Sequence, residues 1–468
     1  MIGFVRDSVV KLQSFMTSCD VGAMSAIHLI LFDKEQHQLD TIHVNCQSKH
    51  SVESVASLIN DKLTKSMSRS GGVRRGTLWM VVVFLLVSLW MTACQSLSIP
   101  GQTSIVTGAN GYVGRAIVHE LLQSSNNENE KVYCLVRPHK VAIEQDYWNQ
   151  QQDLCRCPQV LPYDMLDGGA TLQEALEMAM TERVNGDSPK TNVCVYHVAS
   201  VFGPTEDHRQ TALDNVQGTV DLVTTLGKLQ QKSSSSSSLN VQLVVTSSMA
   251  AVRASGQVPA NGQYYTKDDW NTESELGKNW GESYQWSKME SEKQAIALAR
   301  DYQIPMISLC PSFVFGPPSS TVPSSDSYSL TLVGQWARGE SPVQSRLYVD
   351  VRDVATAHVA AGRRLLGDPS TSNDITTDRY ILSTEARVPS QEIAAWIADA
   401  CRDTNLADPD TIHYDADFQG GAIPIGEREV DALERLEQDL GVTLRPVKET
   451  IVDMTKLLLK QKEPQSQE

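Results

Sequence analysis

The chain has 468 residues, of which 41% are hydrophobic and 21% charged, a composition that suits a globular protein of about two or three domains. Its formal net charge of -16 argues against a nucleic-acid partner, although a locally basic cofactor cleft is compatible with it. The 9 cysteines are irregularly spaced, and Cys134, Cys194 and Cys310 lie in apolar runs, where cysteine acts as a small buried hydrophobe. We therefore expect neither a metal site nor a disulfide framework.

Residues 1–70 form an N-terminal extension with a pattern unlike the rest of the chain. The runs IHLILF and TIHV alternate apolar and polar residues and flank a polar stretch, which indicates a β-hairpin. Two interpretations of this region stay open: a small module made of a hairpin and a helix, and an extension without fixed structure. No chemistry is indicated for this region.

Residues 77–95 are predicted to form a membrane-spanning or signal-anchor segment. Residues 77–93 carry no charge, Trp79 and Trp90 lie near the two ends, and Arg74 and Arg75 precede the run. This predicts a membrane protein, with the endoplasmic reticulum as one candidate location. The positive-inside rule places the main domain on the side of the membrane opposite the N-terminus. A domain that uses a cytosolic cofactor would instead lie on the cytosolic side, so the sidedness of the main domain stays open. A buried core helix and a cleaved signal peptide ahead of a soluble catalytic domain are alternatives.

The rest of the chain is organised around a glycine-rich turn between a strand and a helix. An apolar run over 104–106 is followed by Gly108, Gly111 and Gly114, and an apolar-periodic segment covers 112–122. The three glycines fit a tight turn, a close approach of backbone N–H groups to a pyrophosphate, and close packing of the helix on the sheet. The helix N-terminus adds positive partial charge. The pattern predicts a dinucleotide-binding turn, and a glycine-rich turn without function is the alternative.

The next two predicted strands indicate which cofactor is bound. The strand over 131–136 ends in Arg137 rather than in an acid, which favours the 2′-phosphate of NADP over the free ribose of NAD. A solvated surface arginine is the alternative. A third strand over 159–163 ends in Asp164 and Met165, where a carboxylate can accept a hydrogen bond from the adenine amino group or serve as an ordinary loop acid.

Two buried parallel strands follow, over 193–198 and 241–245. Residues after the first should pass beneath the cofactor, whereas His197 within it is interpreted as a core histidine. The second ends in Thr246-Ser247-Ser248, where a hydroxyl can donate to a substrate carbonyl. The serine run between them indicates a surface loop.

Tyr284 and Lys288 are four residues apart on a predicted helix and therefore share one face. An ammonium beside a phenol favours the phenolate, so Tyr284 can exchange a proton. A sixth strand over 305–309 precedes an irregular turn, 311–317, at the nicotinamide end. A short strand and helix follow from 347, and helical segments over 433–459 complete a smaller lobe.

Together these motifs resemble the extended short-chain dehydrogenase/reductase superfamily over about residues 101–460. The chain is most similar to the dihydroflavonol-reductase and cinnamoyl-CoA-reductase group, with 3β-hydroxysteroid dehydrogenases close behind. The resemblance implies an α/β fold, a Rossmann-type doubly wound parallel sheet with a small C-terminal substrate lobe. An NADP-binding domain would cover 101–318 and the substrate lobe mainly 319–460, with 347–364 returning to the Rossmann core. The matching segments are TGANGYVG, VYHVAS, NVQGT, VVTSSMAAV, YQWSK, PSFVFGP and YVDVRDVA.

The resemblance also implies roles for individual residues. Tyr284 would be the general acid/base, Ser248 would polarise the carbonyl, and Lys288 would bind the nicotinamide ribose and lower the pKa of Tyr284. The implied cofactor-binding set comprises Thr107, Gly108, Asn110, Gly111, Tyr112, Val113, Gly114, Arg137, Asp164, Met165, Val198, Ala199, Ser200, Lys288, Pro311, Ser312 and Val314.

These patterns predict an NADP-dependent oxidoreductase that interconverts a secondary alcohol and a ketone or reduces a related carbonyl. A small lipophilic or phenolic substrate, a membrane contact through 77–95 and a homodimer are the expected partners. The insert over 256–281 and the membrane segment depart from the soluble plant reductases. A nucleotide-sugar epimerase or dehydratase is the first alternative, although Met249 and Ala250 replace the acid pair that a dehydratase needs. An NADP-binding sensor without turnover is the second.

Overall fold

The computed structural model describes a hairpin near the N-terminus and most of the chain from residue 102 onwards. The described residues are 26–33, 38–45, 102–124, 130–151, 154, 156–181, 190–233, 238–260, 262, 264–319, 327–367, 377–384, 387–404, 406–415 and 432–460. The chain forms two compact units, Met1–Ser98 and Ile99–Glu468.

The first unit contains the predicted hairpin. Strands β1 (Ala26–Asp33) and β2 (Gln38–Asn45) pair antiparallel, with Ala26 opposite Asn45 and Asp33 opposite Gln38. The predicted membrane segment 77–95 lies outside the described residues. Within the part of the chain that is described, no helix combines the length and the apolar character needed to span a bilayer.

The second unit is built on a seven-stranded sheet in which every pair of neighbours is parallel. The strand order is β11-β8-β7-β6-β3-β4-β5. Its strands are β3 (Gln102–Thr107), β4 (Lys131–Val136), β5 (Gln159–Pro162), β6 (Lys190–His197), β7 (Ser238–Thr246), β8 (Met306–Pro311) and β11 (Thr377–Leu382). The chain reverses its direction of growth after β5, which creates a switch point between β3 and β6 where ligands of such sheets bind.

Helices connect these strands and cover both faces of the sheet. The helices are α1 (Tyr112–Ser124), α2 (Val141–Asn149), α3 (Ala170–Thr181), α4 (His208–Ser233), α5 (Met249–Val252), α6 (Trp280–Tyr302), α7 (Tyr328–Ala337), α8 (Val351–Gly367), α9 (Ser390–Thr404), α10 (Ala432–Leu440) and α11 (Val447–Lys460). Helix α8 packs on α1 and on strands β6, β7 and β8.

Alternation along the strands divides the core into two layers. Ile105 faces a layer that includes Leu222 of α4, whereas the next residue, Val106, faces a layer that includes Ile117 of α1 and Val354 of α8. This period of two is what a strand buried on both faces requires. The predicted Rossmann-type parallel sheet is therefore confirmed.

A third core lies under α7, α9 and α11. Its fully buried side chains include Phe315, Trp336, Ile397 and Met454. The irregular turn predicted over 311–317 is wrong, because β9 (Phe313–Phe315) pairs in parallel with β10 (Tyr348–Asp350). The run over 313–315 is too short to show an apolar alternation of its own, so only its pairing with β10 identifies it as a strand.

Candidate active site

The glycine turn after β3 has the backbone that the spacing predicts. Gly108 has a positive φ of 64°, and a Cβ added there would lie 2.9 Å from Cα of Ala199. A Cβ on Gly114 would collide with the carbonyl oxygen of Gly108. Glycine at these two positions lets the turn pass close to the β6 loop and lets α1 begin directly beneath it.

Thr107 positions the turn and does not line the cavity beside it. Its side chain is fully buried, and its hydroxyl oxygen accepts hydrogen bonds from the backbone N–H groups of Val198 and Ala199, each at 3.1 Å. The same hydroxyl bonds Nδ1 of His197 at 3.1 Å, and Nε2 of His197 bonds Thr219 at 3.1 Å. The cofactor contact predicted for Thr107 stays a prediction, and its hydroxyl is used within the protein.

His197 is the satisfied core histidine that the sequence predicts. Because the Thr107 hydroxyl already accepts two N–H donors, it donates to Nδ1 of His197, so Nε2 carries the proton and donates to Thr219. Burial, reinforced by the charge of Lys288, lowers the pKa of His197 to about 3. The imidazole is therefore neutral at physiological pH and joins β3, β6 and α4.

A cleft of about 1160 Å³ opens at the carboxyl ends of the strands. With Thr107 as the exception, every residue of the predicted cofactor-binding set lines it, and so do Ser248 and Tyr284. The described lining holds only Glu144 and Asp164 as acids, against seven basic residues: Arg115, Arg137, Lys140, Arg253, Lys288, Arg346 and Arg387. A chain of net charge -16 thus presents a basic cleft, as a phosphate-bearing ligand requires.

Two serine hydroxyls of the cleft test whether a cofactor fits. The Oγ atoms of Ser200, after β6, and Ser312, after β8, are buried and have no hydrogen-bond partner in the described part of the chain. Buried hydroxyls are normally bonded, and a polar ligand in the cleft would satisfy both. Together with the glycine turn, these hydroxyls fit a dinucleotide along the strand ends.

The end of the cleft that is predicted to hold the adenosine lies beside β4 and β5. Arg137 is exposed, and Lys140, three residues further along the chain, is half-buried. Both side chains line the cleft. Asp164 accepts a hydrogen bond from the N–H of Leu166 at 3.0 Å, and this bond stabilises the loop that contains both residues. Gly218 of α4 packs close to Met165. A Cβ added to Gly218 would lie 3.1 Å from the Cβ of Met165.

A buried ion pair supports the helix that starts at the glycine turn. Arg115 donates to both carboxylate oxygens of Glu144, at 2.9 and 2.5 Å, and its guanidinium lies 4.3 Å from the ring centre of Tyr147. This fork joins α1 to α2, the helix that directly follows Lys140. Tyr112 is also structural in its side chain, because its hydroxyl donates to the carbonyl oxygen of Gly316 at 2.6 Å.

Ser248, Tyr284 and Lys288 come from two adjacent elements at the other end. Ser248 caps α5, with its Oγ accepting the N–H of Ala250 at 3.1 Å, and it also forms a hydrogen bond with Tyr284. Nζ of Lys288 donates to the carbonyl oxygen of Thr246 at 3.2 Å and lies 5.9 Å from the ring centre of Tyr284. The structure therefore brings the three predicted catalytic side chains together.

The pKa of Tyr284 differs from the expectation. Enclosure by protein raises it to about 12, and the hydrogen bond with Ser248 only partly opposes this rise. Enclosure also lowers the pKa of Lys288 to about 8, with Glu292 acting in the opposite direction. Lys288 does not contribute a lowering to the pKa of Tyr284, which desolvation of the phenolate raises and only the interaction with Ser248 opposes.

An aromatic wall, formed by Phe202, Trp280, Phe313 and Tyr328, borders Tyr284. The ring centre of Phe202 lies 4.7 Å from that of Tyr284, and Tyr328 connects Phe202 and Phe313 at 5.6 and 6.0 Å. All four side chains line the cleft, and Phe202 keeps an exposed fraction of 40%. This wall offers an apolar surface directly beside the predicted proton donor.

Three further residues matter to the site and were not singled out by the sequence analysis. Lys140 is a second cation near Arg137. The sequence signal for this cation was a lysine three residues after an arginine that follows a strand. Asn215 exchanges two hydrogen bonds with Val201, at 2.8 and 3.0 Å, and so fixes the loop after β6. Asn271 of the insert donates to the carbonyl oxygen of Ala250 at 2.8 Å, a contact with no local signal.

Comparison with known proteins identifies the family. A profile of the NAD-binding family described as male sterility protein matches residues 106–350. Among curated proteins, tetraketide alpha-pyrone reductase 2 from Arabidopsis thaliana is 25% identical over 264 residues, 55% of this chain and 73% of its own. Cinnamoyl-CoA reductase 1 from the same plant is 28% identical over 284 residues, 57% of this chain and 71% of its own.

Solved structures share the fold over most of the chain. Yeast methylglyoxal/isovaleraldehyde reductase Gre2 complexed with NADPH matches with a TM-score of 0.56 and 22% identity, covering 76% of this chain and 98% of its own. UDP-glucose 4-epimerase from Bifidobacterium longum in complex with NAD+ and UDP matches with a TM-score of 0.53 and 16% identity, covering 77% and 98%. The profile spans more than half of the chain, which therefore belongs to the family described as male sterility protein, within the extended short-chain dehydrogenase/reductases, as an NAD(P)-dependent oxidoreductase.

Proposed function

We propose that this protein reduces a small carbonyl compound with an apolar or phenolic body to the alcohol, using NADPH. One observation carries the proposal: Tyr284, hydrogen-bonded to Ser248 and near Lys288, lines the same cleft as the glycine turn. A proton donor and a dinucleotide site in one cleft are the two parts that carbonyl reduction needs.

The proposed chemistry assigns one task to each side chain. When bound beside the glycine turn, NADPH would supply the hydride that the carbonyl carbon accepts. The hydroxyl of Tyr284 gives its proton to the carbonyl oxygen, so the product is a neutral alcohol and the phenolate remains. Ser248 donates a hydrogen bond to the same oxygen as negative charge develops on it. The ammonium of Lys288 stabilises the phenolate until a solvent proton restores the phenol.

The protonation state of Tyr284 matches its proposed role as the proton donor. With a pKa of about 12, the phenol is protonated at neutral pH and is ready to act as an acid. Oxidation of an alcohol would need the phenolate, which is scarce under these conditions.

The adenosine end supports NADPH as the reductant. Arg137 and Lys140 both line the cleft beside the end of β4, where an acid would be needed to hold the 2′-hydroxyl of NADH. Two cations here suit a dianionic 2′-phosphate. The acid nearest to this end, Asp164, already accepts the N–H of Leu166.

The aromatic wall supports an apolar or aromatic substrate body. Phe202, Phe313 and Tyr328 form one continuous surface beside Tyr284, and flat rings pack favourably against such a surface. The wall thus favours a ketone or aldehyde reductase over a nucleotide-sugar epimerase.

The test is NADPH oxidation by the purified full-length chain with a panel of aromatic and aliphatic ketones, aldehydes and UDP-sugars. We expect turnover with aromatic carbonyls and a loss of most of it in Phe202→Ala. Val258→Ala, an exposed change outside the cleft lining, serves as the matched control. NADPH binding without turnover on any carbonyl would contradict the proposal.

A further inference from the structure

Thr246, the last residue of β7, forms hydrogen bonds on both faces of the sheet. Its carbonyl oxygen accepts a hydrogen bond from Nζ of Lys288 on α6 at 3.2 Å. Its hydroxyl lies 2.7 Å from Nε2 of His358, a fully buried residue of α8. Val244, two residues earlier, faces the layer that contains α8, and the period of two along a strand directs the Thr246 side chain to the same face. Because α6 contributes Ala295 to the other layer, Thr246 links helices on opposite faces.

The direction of the hydrogen bond between Thr246 and His358 follows from the second nitrogen of the imidazole. Nδ1 of His358 lies 2.7 Å from the carbonyl oxygen of Val354. A carbonyl oxygen can only accept, so Nδ1 carries the proton and Nε2 of the neutral ring is an acceptor. Burial lowers the pKa of His358 to about 4, so the ring is neutral at physiological pH. The hydroxyl of Thr246 therefore donates to His358, and this bond fixes the orientation of the threonine.

The ammonium of Lys288 needs an acceptor to hold it in place, because it ends a flexible side chain. Two other polar groups, His197 and Glu292, border the same small cavity as Lys288. Both ring nitrogens of His197 are bonded to threonine hydroxyls, and Glu292 accepts from two nitrogens of Arg379. Since the hydrogen bonds of these two groups are directed elsewhere, the carbonyl oxygen of Thr246 is the acceptor that holds Nζ.

We propose that His358 is a positioning residue that acts on Lys288 through Thr246. The bond from the Thr246 hydroxyl to His358 fixes the end of β7, and the carbonyl oxygen of the same residue then holds the ammonium near Tyr284. This inference rests on the proposed reductase function, in which Lys288 stabilises the phenolate. It extends the site to α8, a helix that contributes no residue to the described lining of the cleft.

The first test is a double-mutant cycle on NADPH affinity, measured by fluorescence titration of the full-length chain, so that it does not depend on turnover. Thr246→Val removes the hydroxyl with little change of shape. Because the resemblance assigns Lys288 to the nicotinamide ribose, we expect Thr246→Val to weaken NADPH binding about tenfold in the wild type and less than about twofold in Lys288→Met.

Two outcomes of this cycle would overturn the proposal: an unchanged affinity in the wild type, and equal losses in both backgrounds. Thr246→Ala gives the same comparison should Thr246→Val fail to fold. The cycle can be scored when no carbonyl is turned over, so a failure of the proposed function is distinguishable from a failure of this inference.

The second test separates positioning from a purely structural role. His358→Gln keeps an acceptor for the Thr246 hydroxyl, whereas His358→Phe removes it. We expect His358→Phe to lower kcat for an aromatic ketone about tenfold or more with KM within about twofold, and His358→Gln to retain most of kcat. Thr246→Ser, which keeps the hydroxyl, should also retain it.

Thr404→Val is the matched control for the threonine variants, because the hydroxyl of Thr404 bonds the carbonyl oxygen of Ala400 within α9, away from the cleft lining. It should leave both kcat and NADPH affinity at the wild-type level. Equal kcat values in His358→Gln and His358→Phe would refute the bond to Thr246 as the means by which His358 acts.

Discussion

The residue with the clearest pH signature is Lys288. Its pKa of about 8 means that the ammonium is present below that pH and is lost above it. Because the charged form stabilises the phenolate, we expect the rate of carbonyl reduction to be level below pH 7 and to fall as the pH rises through about 8. Stopped-flow measurement of the pH–rate profile tests this. Lys288→Arg, whose charge persists, should move the alkaline fall to higher pH, and an unmoved profile would count against Lys288.

Cofactor choice is also decided at single residues. Arg137→Ala and Lys140→Ala should each weaken NADPH binding by about tenfold and change NADH binding by less than about twofold, because only NADPH carries the 2′-phosphate. Fluorescence titration of both cofactors measures the ratio. Lys131→Ala, at the opposite end of β4, is the matched control. Equal losses for NADPH and NADH would remove the argument for NADP.

Gly108 gives a prediction on the turn itself. An alanine there must adopt a φ of 64° and place its Cβ 2.9 Å from Cα of Ala199. The backbone conformation alone costs about 1–2 kcal/mol, and the contact adds to it. We expect Gly108→Ala to lower the melting temperature and to weaken NADPH binding. Gly441→Ala, at a φ of 65° and with no atom of the described residues within 4 Å of its added Cβ, separates the cost of the backbone from that of the contact.

Residue positions at strand ends were the most predictable part of the site. Ser248, Arg137 and the residues after β6 follow from the alternation of strands and helices, since parallel strands direct their carboxyl ends to one edge. The role of Thr107 was not predictable, because its hydroxyl bonds backbone groups of a strand that lies 91 residues away along the chain. The high pKa of Tyr284 depends on its enclosure, which no local pattern encodes.

At the scale of elements, α6 is held by a buried ion pair with β11. Glu292 accepts from Nε of Arg379 at 2.8 Å and from the hydroxyl of Ser247 at 2.7 Å, while Arg379 also stacks 3.9 Å over Trp270 of the insert. The pair thus links the helix of Tyr284 and Lys288 to the sheet edge and to the insert.

Removal of one partner of this pair should be strongly destabilising. Glu292→Gln leaves the Arg379 charge buried without its counter-ion, so we expect a loss of about 3–5 kcal/mol in the free energy of unfolding, measured by urea denaturation. Glu290→Gln, on the same helix and bonded only to Gln294 at the surface, should change it by less than about 0.5 kcal/mol. Similar small losses for both variants would show that the pair contributes little.

Helices and strands with a long, clear sequence pattern were predicted accurately, whereas elements without such a pattern were missed. Strand β4 and the helices around the glycine turn and Tyr284 were predicted close to their observed bounds. Strands β9 and β11 were not predicted, because β9 has only three residues and β11 begins with three polar residues, so neither has a clear strand pattern of its own. Helix α2 was also missed, since its apolar periodicity is interrupted by polar residues.

At the scale of the whole molecule, the membrane segment 77–95 remains a proposal. Its uncharged run with a tryptophan near each end supports membrane association. We expect the full-length chain to sediment with membranes and to resist extraction by carbonate at high pH. A variant with Val82→Arg and Leu86→Arg should be released into the supernatant, because two central charges are costly in a bilayer. Release of the unchanged protein would contradict the proposal.

We infer that Tyr284 donates the proton in carbonyl reduction, and a paired measurement on one variant tests this role. NADPH binding by fluorescence and NADPH oxidation with an aromatic ketone are measured on the same samples of wild-type protein and Tyr284→Phe. We expect NADPH affinities within about twofold of each other and a rate of oxidation about 10²–10⁴-fold lower in the variant. An unchanged rate with unchanged NADPH affinity would contradict it.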